Sequence, residues 1–227
     1  MKVVVLQSNY IPWKGYFDLI KSADVFCFYD EVKYTKNDWR NRNKIVGPNG
    51  AYWLTIPVEK ESVNKKISEV EFRDTKWINK HIMSIKQSYA KAPFKKDVME
   101  MLEPLYLEAG SKSLSEFNKM LIEGISGYIG LATKFDCSSN YTLTEGRVER
   151  LVGLLKDLET TTYVSGPAAK RYLAESHSLF KSNNIELVFK EYGPYKKYDQ
   201  KLTEFNDYVS VLDLLMNVPR GEISQYI

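Results

Sequence analysis

KVVVLQSNYIPWKGYFDLIKSADVFCFY (residues 2–29) sets two short apolar runs on either side of one amphipathic segment. Lys2–Leu6 is continuously apolar after its lysine and rich in valine, the pattern of a strand buried on both faces. In Lys14–Ser22, Phe17, Ile20 and Lys21 follow helical spacing, and Val25–Tyr29 is a second buried strand that ends at Asp30. A strand, a short helix and a second strand in this order predict parallel pairing through a right-handed crossover. Between the first strand and the helix lie Gln7, Ser8, Asn9 and Tyr10, then Pro12 and Trp13. That turn is either a ligand cradle or a packed corner.

The rest of the chain extends this beginning. Residues 30–50 are polar and turn-rich and close on Gly47-Pro48-Asn49-Gly50, after which Ala51–Val58 reads as a strand. Lys66–Phe72 alternates apolar and polar residues, which predicts a half-exposed strand. Trp77, Ile78, Ile82, Ile85 and Tyr89 line one face of a helix over 76–90. A second helix over 97–109 contains Pro104, where a kink or break is expected. Ser113 and Glu116 form a capping box for a third helix. Alternation then resumes with a strand over 133–136, a helix over 145–158, a strand over 161–164, a helix over 167–181 and a strand over 185–189. Ser210 and Asp213 cap a last short helix that ends near Asn217. These elements predict an α/β fold, a mostly parallel three-layer sheet, as a single domain over 1–227 with a helical insert at about 76–130.

Composition narrows the function classes. The chain has 227 residues, 44% hydrophobic and 27% charged, with a formal net charge of +3. That charge is too small to point to a nucleic-acid partner. Sixteen tyrosines suit sugar or nucleoside pockets and also ordinary half-buried packing. Cys27 and Cys137 form neither a disulfide framework nor a metal spacing. The first apolar run is too short for a secretion signal, and no run approaches the roughly 18 apolar residues of a membrane span. The cytoplasm is the expected location.

Ligands of open parallel sheets bind beyond the carboxyl ends of the strands. Three such stretches carry suitable side chains: Gln7–Tyr16; Asp30–Asn43, with Lys33, Lys36, Arg40 and Arg42 interleaved with Tyr34 and Trp39; and Ser165-Gly166-Pro167-Ala168-Ala169-Lys170. Gln7 and Asn9 fit either a buried polar network or contacts to substrate. The planar forks of Arg40 and Arg42 suit phosphate or carboxylate, and the bland reading of the same stretch is a solvated basic loop. His81 is either packed in the core or an acid–base group. There is no Walker, GxGxxG, HExxH or Ser-His-Asp pattern, and two histidines with two cysteines are a poor zinc set. The sequence assigns no metal, no cofactor and no oligomeric state.

In order along the chain, LQSNYIPWKGYFDLI, DEVKYTKNDWRNRNKI, YWLTIPV, WINKH, YVSGPAAKRYL and VSVLDLLMN resemble the WbqC-like protein family over nearly the whole length. Two departures stand out: Ser8 occupies a position where the family usually has proline, and the last motif continues as LLMNVPRGE. The resemblance implies a setting in bacterial surface polysaccharide (O-antigen) gene clusters. It marks Gln7, Asn9, Tyr10, Trp13, Asp30, Tyr34, Arg42, Asn43, His81, Ser165, Gly166, Lys170, Tyr198, Gln200 and Asp213. The resemblance gives this setting without a reaction; the activity expected within it is acyl or aminoacyl transfer to an amino sugar nucleotide. Arg40, Arg42 and Lys170 would hold phosphate or carboxylate charge, Lys36 is a further substrate-binding candidate, and His81 or Asp30 would accept the proton. A nucleotidylyltransferase-like fold is a second, looser similarity. Trp13–Tyr16 stands where those enzymes carry an HxGH motif, with both histidines missing. The alternatives are an ATP-dependent ligase or nucleotidylyltransferase with an altered motif, and a non-catalytic sugar-nucleotide-binding protein.

Overall fold

The computed structural model describes residues 1–200 and 204–227. The opening unit forms as expected: β1 (Lys2–Leu6), α1 (Lys14–Lys21) and β2 (Val25–Phe28), with β1 and β2 parallel. An antiparallel hairpin follows, β3 (Arg42–Gly47) and β4 (Gly50–Thr55). Three helices come next: α2 (Lys76–Ser88), α3 (Lys95–Glu108) and α4 (Leu114–Ile129). The chain then returns to the sheet through β5 (Lys134–Cys137), α5 (Arg147–Asp157), β6 (Thr162–Ser165), α6 (Lys170–Leu173), α7 (His177–Ser182) and β7 (Glu186–Phe189), and α8 (Val211–Asn217) follows.

The five strands of the main sheet lie in the order β5-β2-β1-β6-β7, all parallel. Alternation along the strands divides the core between the two faces. Val4, Phe26 and Phe28 face α1, the three-helix insert and α8. Val3, Val5 and Cys27 face Leu151, Leu155 and Phe180 of the later helices. The architecture is a three-layer α/β fold.

Several elements differ from the sequence reading. The segment Lys66–Phe72 is not a strand. It forms a single 3-10 turn, Ile67–Glu69, because its amides reach the carbonyls of Val32 and Asp30 individually and form no ladder. The polar stretch before Gly47 contains β3, whose Ile45 and Val46 are buried against α2 and α8. The helix over 167–181 is broken into short α and 3-10 segments. Pro104 does not break α3, which continues through it as one element of 14 residues with Leu102 and Tyr106 fully buried on either side.

The turn after β1 is bound on every side. Ile11 has φ +35°, a strained value for a β-branched residue that the surrounding contacts must hold. The buried Asn43 side chain donates to the carbonyls of both Tyr10 (3.2 Å) and Ile11 (2.8 Å). Tyr10 N–H donates to the Trp39 carbonyl, Val211 N–H to the Pro12 carbonyl, and the Tyr16 hydroxyl to the Gln7 carbonyl. The Trp13 ring lies directly on Gly15, where a Cβ would meet it at 2.3 Å, so the glycine of the WKGY motif is required by a close approach. Replacing Asn43 with alanine leaves two buried carbonyls without donors. The Asn43→Ala protein is expected to lose about 2–4 kcal/mol in urea unfolding, and a change below about 0.5 kcal/mol would refute this account of the turn.

Candidate functional site

Along the sheet the chain first moves outward from β1 through β2 to β5, then returns to β6 on the other side of β1. The crevice beyond the carboxyl ends of β1 and β6 is therefore the topological switch point, where open α/β sheets bind ligands. A cavity of about 700 Å³ occupies it. Gln7 enters from the end of β1, Tyr29 and Lys33 from beyond β2, Ser165 and Gly166 from the end of β6, and Arg147 and Arg150 from the start of α5.

The cavity is electropositive. Lys33, Arg147 and Arg150 line it, and no acidic side chain is among its described lining residues. Gly146, with φ +87°, introduces α5, whose first turn has no side-chain cap; the Glu149 carboxylate lies over Gly146 at this helix start and offsets its positive end, so the cavity's charge rests on its three cationic side chains. The Arg147 guanidinium stacks 3.9 Å above the Tyr172 ring, and Arg150 Nε donates to the Thr144 carbonyl (2.8 Å). Burial raises the Tyr29 hydroxyl above its ordinary pKa, and its bond to Arg150 opposes that rise. Burial also raises the pKa of Tyr163, whose hydroxyl bonds the Ser165 side chain. Cations, hydroxyls and aromatic faces on one concave surface suit a phosphorylated ligand that carries a ring.

The expected site residues fall into several groups. Gln7, Ser165 and Gly166 line this cavity. Asn9, Trp13 and Asn43 border a separate cleft of about 140 Å³, beside the exposed rings of Trp39 and Tyr208. Arg40 links the two places, because its guanidinium donates to the Gln7 side chain at 3.1 Å and also to that of Asn9. Its fork is thereby occupied by the two amides. Arg42 stacks 4.3 Å above Trp53. Lys36 and Lys170 are exposed, and neither lines the cavity. Tyr34 is buried, and its hydroxyl is pushed up to about 12, first by desolvation and then by Asp38, with Arg42 and Arg40 opposing. Tyr198 and Gln200 lie elsewhere, around Asp213.

The two expected proton acceptors are both sealed. Asp30 is 2% exposed and accepts from Ser8 N–H (2.8 Å) through one oxygen and from the Ser115 hydroxyl through the other. His81 is buried among Tyr10, Trp77 and Tyr106. One of its ring nitrogens bonds the Thr55 carbonyl, so Nδ1 accepts from the Tyr10 hydroxyl (2.7 Å), which in turn accepts from Tyr106. Neither group presents an atom to the cavity, and both position the turn that borders it.

Arg147, Arg150, Tyr29 and Tyr172 fall outside the three strand-end stretches that the sequence marks: Arg147 and Arg150 follow β5, Tyr29 immediately precedes the second stretch, and Tyr172 lies beyond the third in α6. The signal available was a glycine followed by two arginines three apart, GRVER at 146–150, at a helix start that follows a parallel strand.

The family model for the WbqC-like protein family matches residues 7–225. The chain belongs to this family. It is also similar to a Mycobacterium tuberculosis protein named "Uncharacterized protein Rv1507c", with 40% identity over 218 residues, covering 96% of this chain and 94% of the relative. No solved structure matches. Among the residues that the family motifs mark, Gln7, Ser165 and Gly166 are at the switch-point cavity, and Asp30, Asn43 and His81 support the turn beside it.

Burial depresses the His81 pKa from 6.5 to about 4. Between those values the unfolded chain binds a proton that the folded protein refuses, so stability is full above pH 6.5 and falls as the pH drops toward 4. The loss is about 3 kcal/mol at most. The His81→Phe protein, compared with the parent by urea unfolding at pH 7 and pH 4.5, is expected to lack most of this acid sensitivity. Equal sensitivity in both proteins would contradict the buried neutral imidazole.

Proposed function

We propose that this chain binds a sugar nucleotide in the switch-point cavity and acts as a transferase in bacterial surface polysaccharide (O-antigen) synthesis, placing an acyl or aminoacyl group on an amino sugar. The observation that carries the reading is the cavity itself, in which Lys33, Arg147 and Arg150 meet Tyr29 and Tyr172 at the carboxyl ends of β1 and β6. Arg147 and Arg150 hold the diphosphate, the tyrosine rings take the base or sugar face, and Gln7 and Ser165 orient hydroxyls. Asp30 and His81 serve as positioning residues behind the wall.

A concave site of this size favours a small molecule over nucleic acid, which needs an extended basic surface. No described helix is long and apolar enough to cross a membrane. A cytoplasmic location fits the reading, since Cys27 and Cys137 are both free thiols.

Thermal-shift and calorimetric titrations with a uridine diphosphate amino sugar, Mg-ATP and an acyl-coenzyme A test the reading. The sugar nucleotide is expected to bind, and Arg150→Ala and Arg147→Ala are each expected to weaken it at least tenfold, the equivalent of a lost charge-assisted hydrogen bond of about 1.5–3 kcal/mol. Unchanged affinity in both variants would remove the cavity from the reading. Binding of Mg-ATP alone with pyrophosphate release would replace the transferase with a ligase or nucleotidylyltransferase.

A further inference from the structure

The cleft lined by Asn9, Pro12, Trp13, Trp39, Asn43 and Tyr208 shares no lining residue with the switch-point cavity. Half of its lining is aromatic, and those rings are braced. Trp13 rests on Gly15 and meets the rings of Tyr192 and Tyr195 edge-on, with centroids 5.1 and 6.2 Å away. Tyr208 lies 5.8 Å from Trp13, and its N–H donates to the Asn206 side chain (2.9 Å). Trp39 stands 5.5 Å from Trp53, over which Arg42 and Lys44 are placed. Trp39 is nevertheless 43% exposed and Tyr208 72% exposed. Large rings held in position with open surface form a platform whose ordering cost is already met in the free protein.

The two amides of the cleft differ. Asn43 is fully committed, with Nδ2 on the carbonyls of Tyr10 and Ile11 and Oδ1 on the Lys44 N–H (2.8 Å). Asn9 is committed through its oxygen alone. Its Oδ1 accepts from Arg40, whereas its Nδ2 has no hydrogen-bond partner among the described residues, and the residue is only half-buried. Because the oxygen must face the guanidinium, the amide plane is set and the free N–H groups point away from Arg40. No charged side chain is among the described lining residues. A neutral pyranose ring matches this set. Its C–H bonds, slightly positive, rest on the negative faces of aromatic rings, and its oxygens accept from an amide N–H. The planes of Trp13 and Tyr208 are tilted by 32°, unlike the parallel-sided slot that a flat base fills. The volume of about 140 Å³ has room for one such ring and falls below the roughly 300 Å³ at which sites for drug-sized ligands begin.

We propose that this cleft binds one pyranose ring of a neutral saccharide, stacked on Trp39 and Tyr208, with a ligand oxygen accepting from Asn9 Nδ2. Arg40 holds both Asn9 and Gln7, so a ring bound here stands beside the switch-point cavity. The inference does not rest on the sugar-nucleotide reading of that cavity. The test is saturation-transfer NMR of the full chain, titrated with the methyl glycosides of glucose, galactose and N-acetylglucosamine and, separately, with uridine. At least one glycoside is expected to bind, with the strongest saturation on the C–H protons of one ring face. Trp39→Ala keeps the backbone carbonyl that accepts from Tyr10 and is expected to weaken that binding at least tenfold. Tyr208→Ala, expected to weaken it as well, decides the matter if Trp39→Ala does not fold. Arg150→Ala is expected to leave glycoside binding unchanged, so a failure here and a failure at the first cavity are told apart. No saturation of any glycoside, full binding by Trp39→Ala, or loss of binding in Arg150→Ala would each overturn the proposal. Uridine binding that Trp39→Ala abolishes would overturn it too, by giving the cleft to a flat base.

Discussion

One carboxylate holds the sheet to its surroundings. Asp30 stands just past the end of β2, and its two oxygens reach the backbone of Ser8, after β1, and the hydroxyl of Ser115, in the first turn of α4. Its backbone carbonyl accepts from Ser68 as well. A charge so deeply buried is tolerable only with its oxygens occupied by donors, so the three segments must stand where they do. The placement of the β1 turn follows, and with it the position of Gln7 at the cavity and of Asn9 at the cleft beside it.

The opening stretch is therefore a packed corner with one face turned to the switch-point cavity. The amides that look exposed on paper are held by Arg40, and the indole of Trp13 rests on Gly15. Rigidity of this kind suits a binding wall, because a preorganised wall loses little freedom when a ligand docks.

The sequence made the sheet legible because buried parallel strands are continuous apolar runs, and KVVVL and VFCFY could hardly be anything else. The capping box of Ser113 and Glu116 was legible for a similarly local reason, and both of its bonds are present. The hairpin strand β3 was hidden because its first three residues are Arg42, Asn43 and Lys44, whose polarity masks the buried Ile45 and Val46. The candidate site was legible only in part. Gln7, Ser165 and Gly166 follow from the strand ends, whereas Arg147 and Arg150 reach the cavity through the strand order, which local patterns do not encode. The burial of His81 was equally invisible, since helical spacing places it on a face without saying what covers that face.

The pairing of β1 with β6 joins Lys2 to Thr162, whereas β1 and β2 meet across a single short helix. The entropy of closing so long a loop must be met before that contact contributes anything, so the two ladders on either side of β1 belong to different stages of folding. The β1–α1–β2 unit can condense early from local contacts. The seam between β1 and β6, and the electropositive crevice above it, exist only once the ends of a long chain segment have found each other. The crevice proposed as the binding site is thus a late acquisition of the fold, completed only with the sheet.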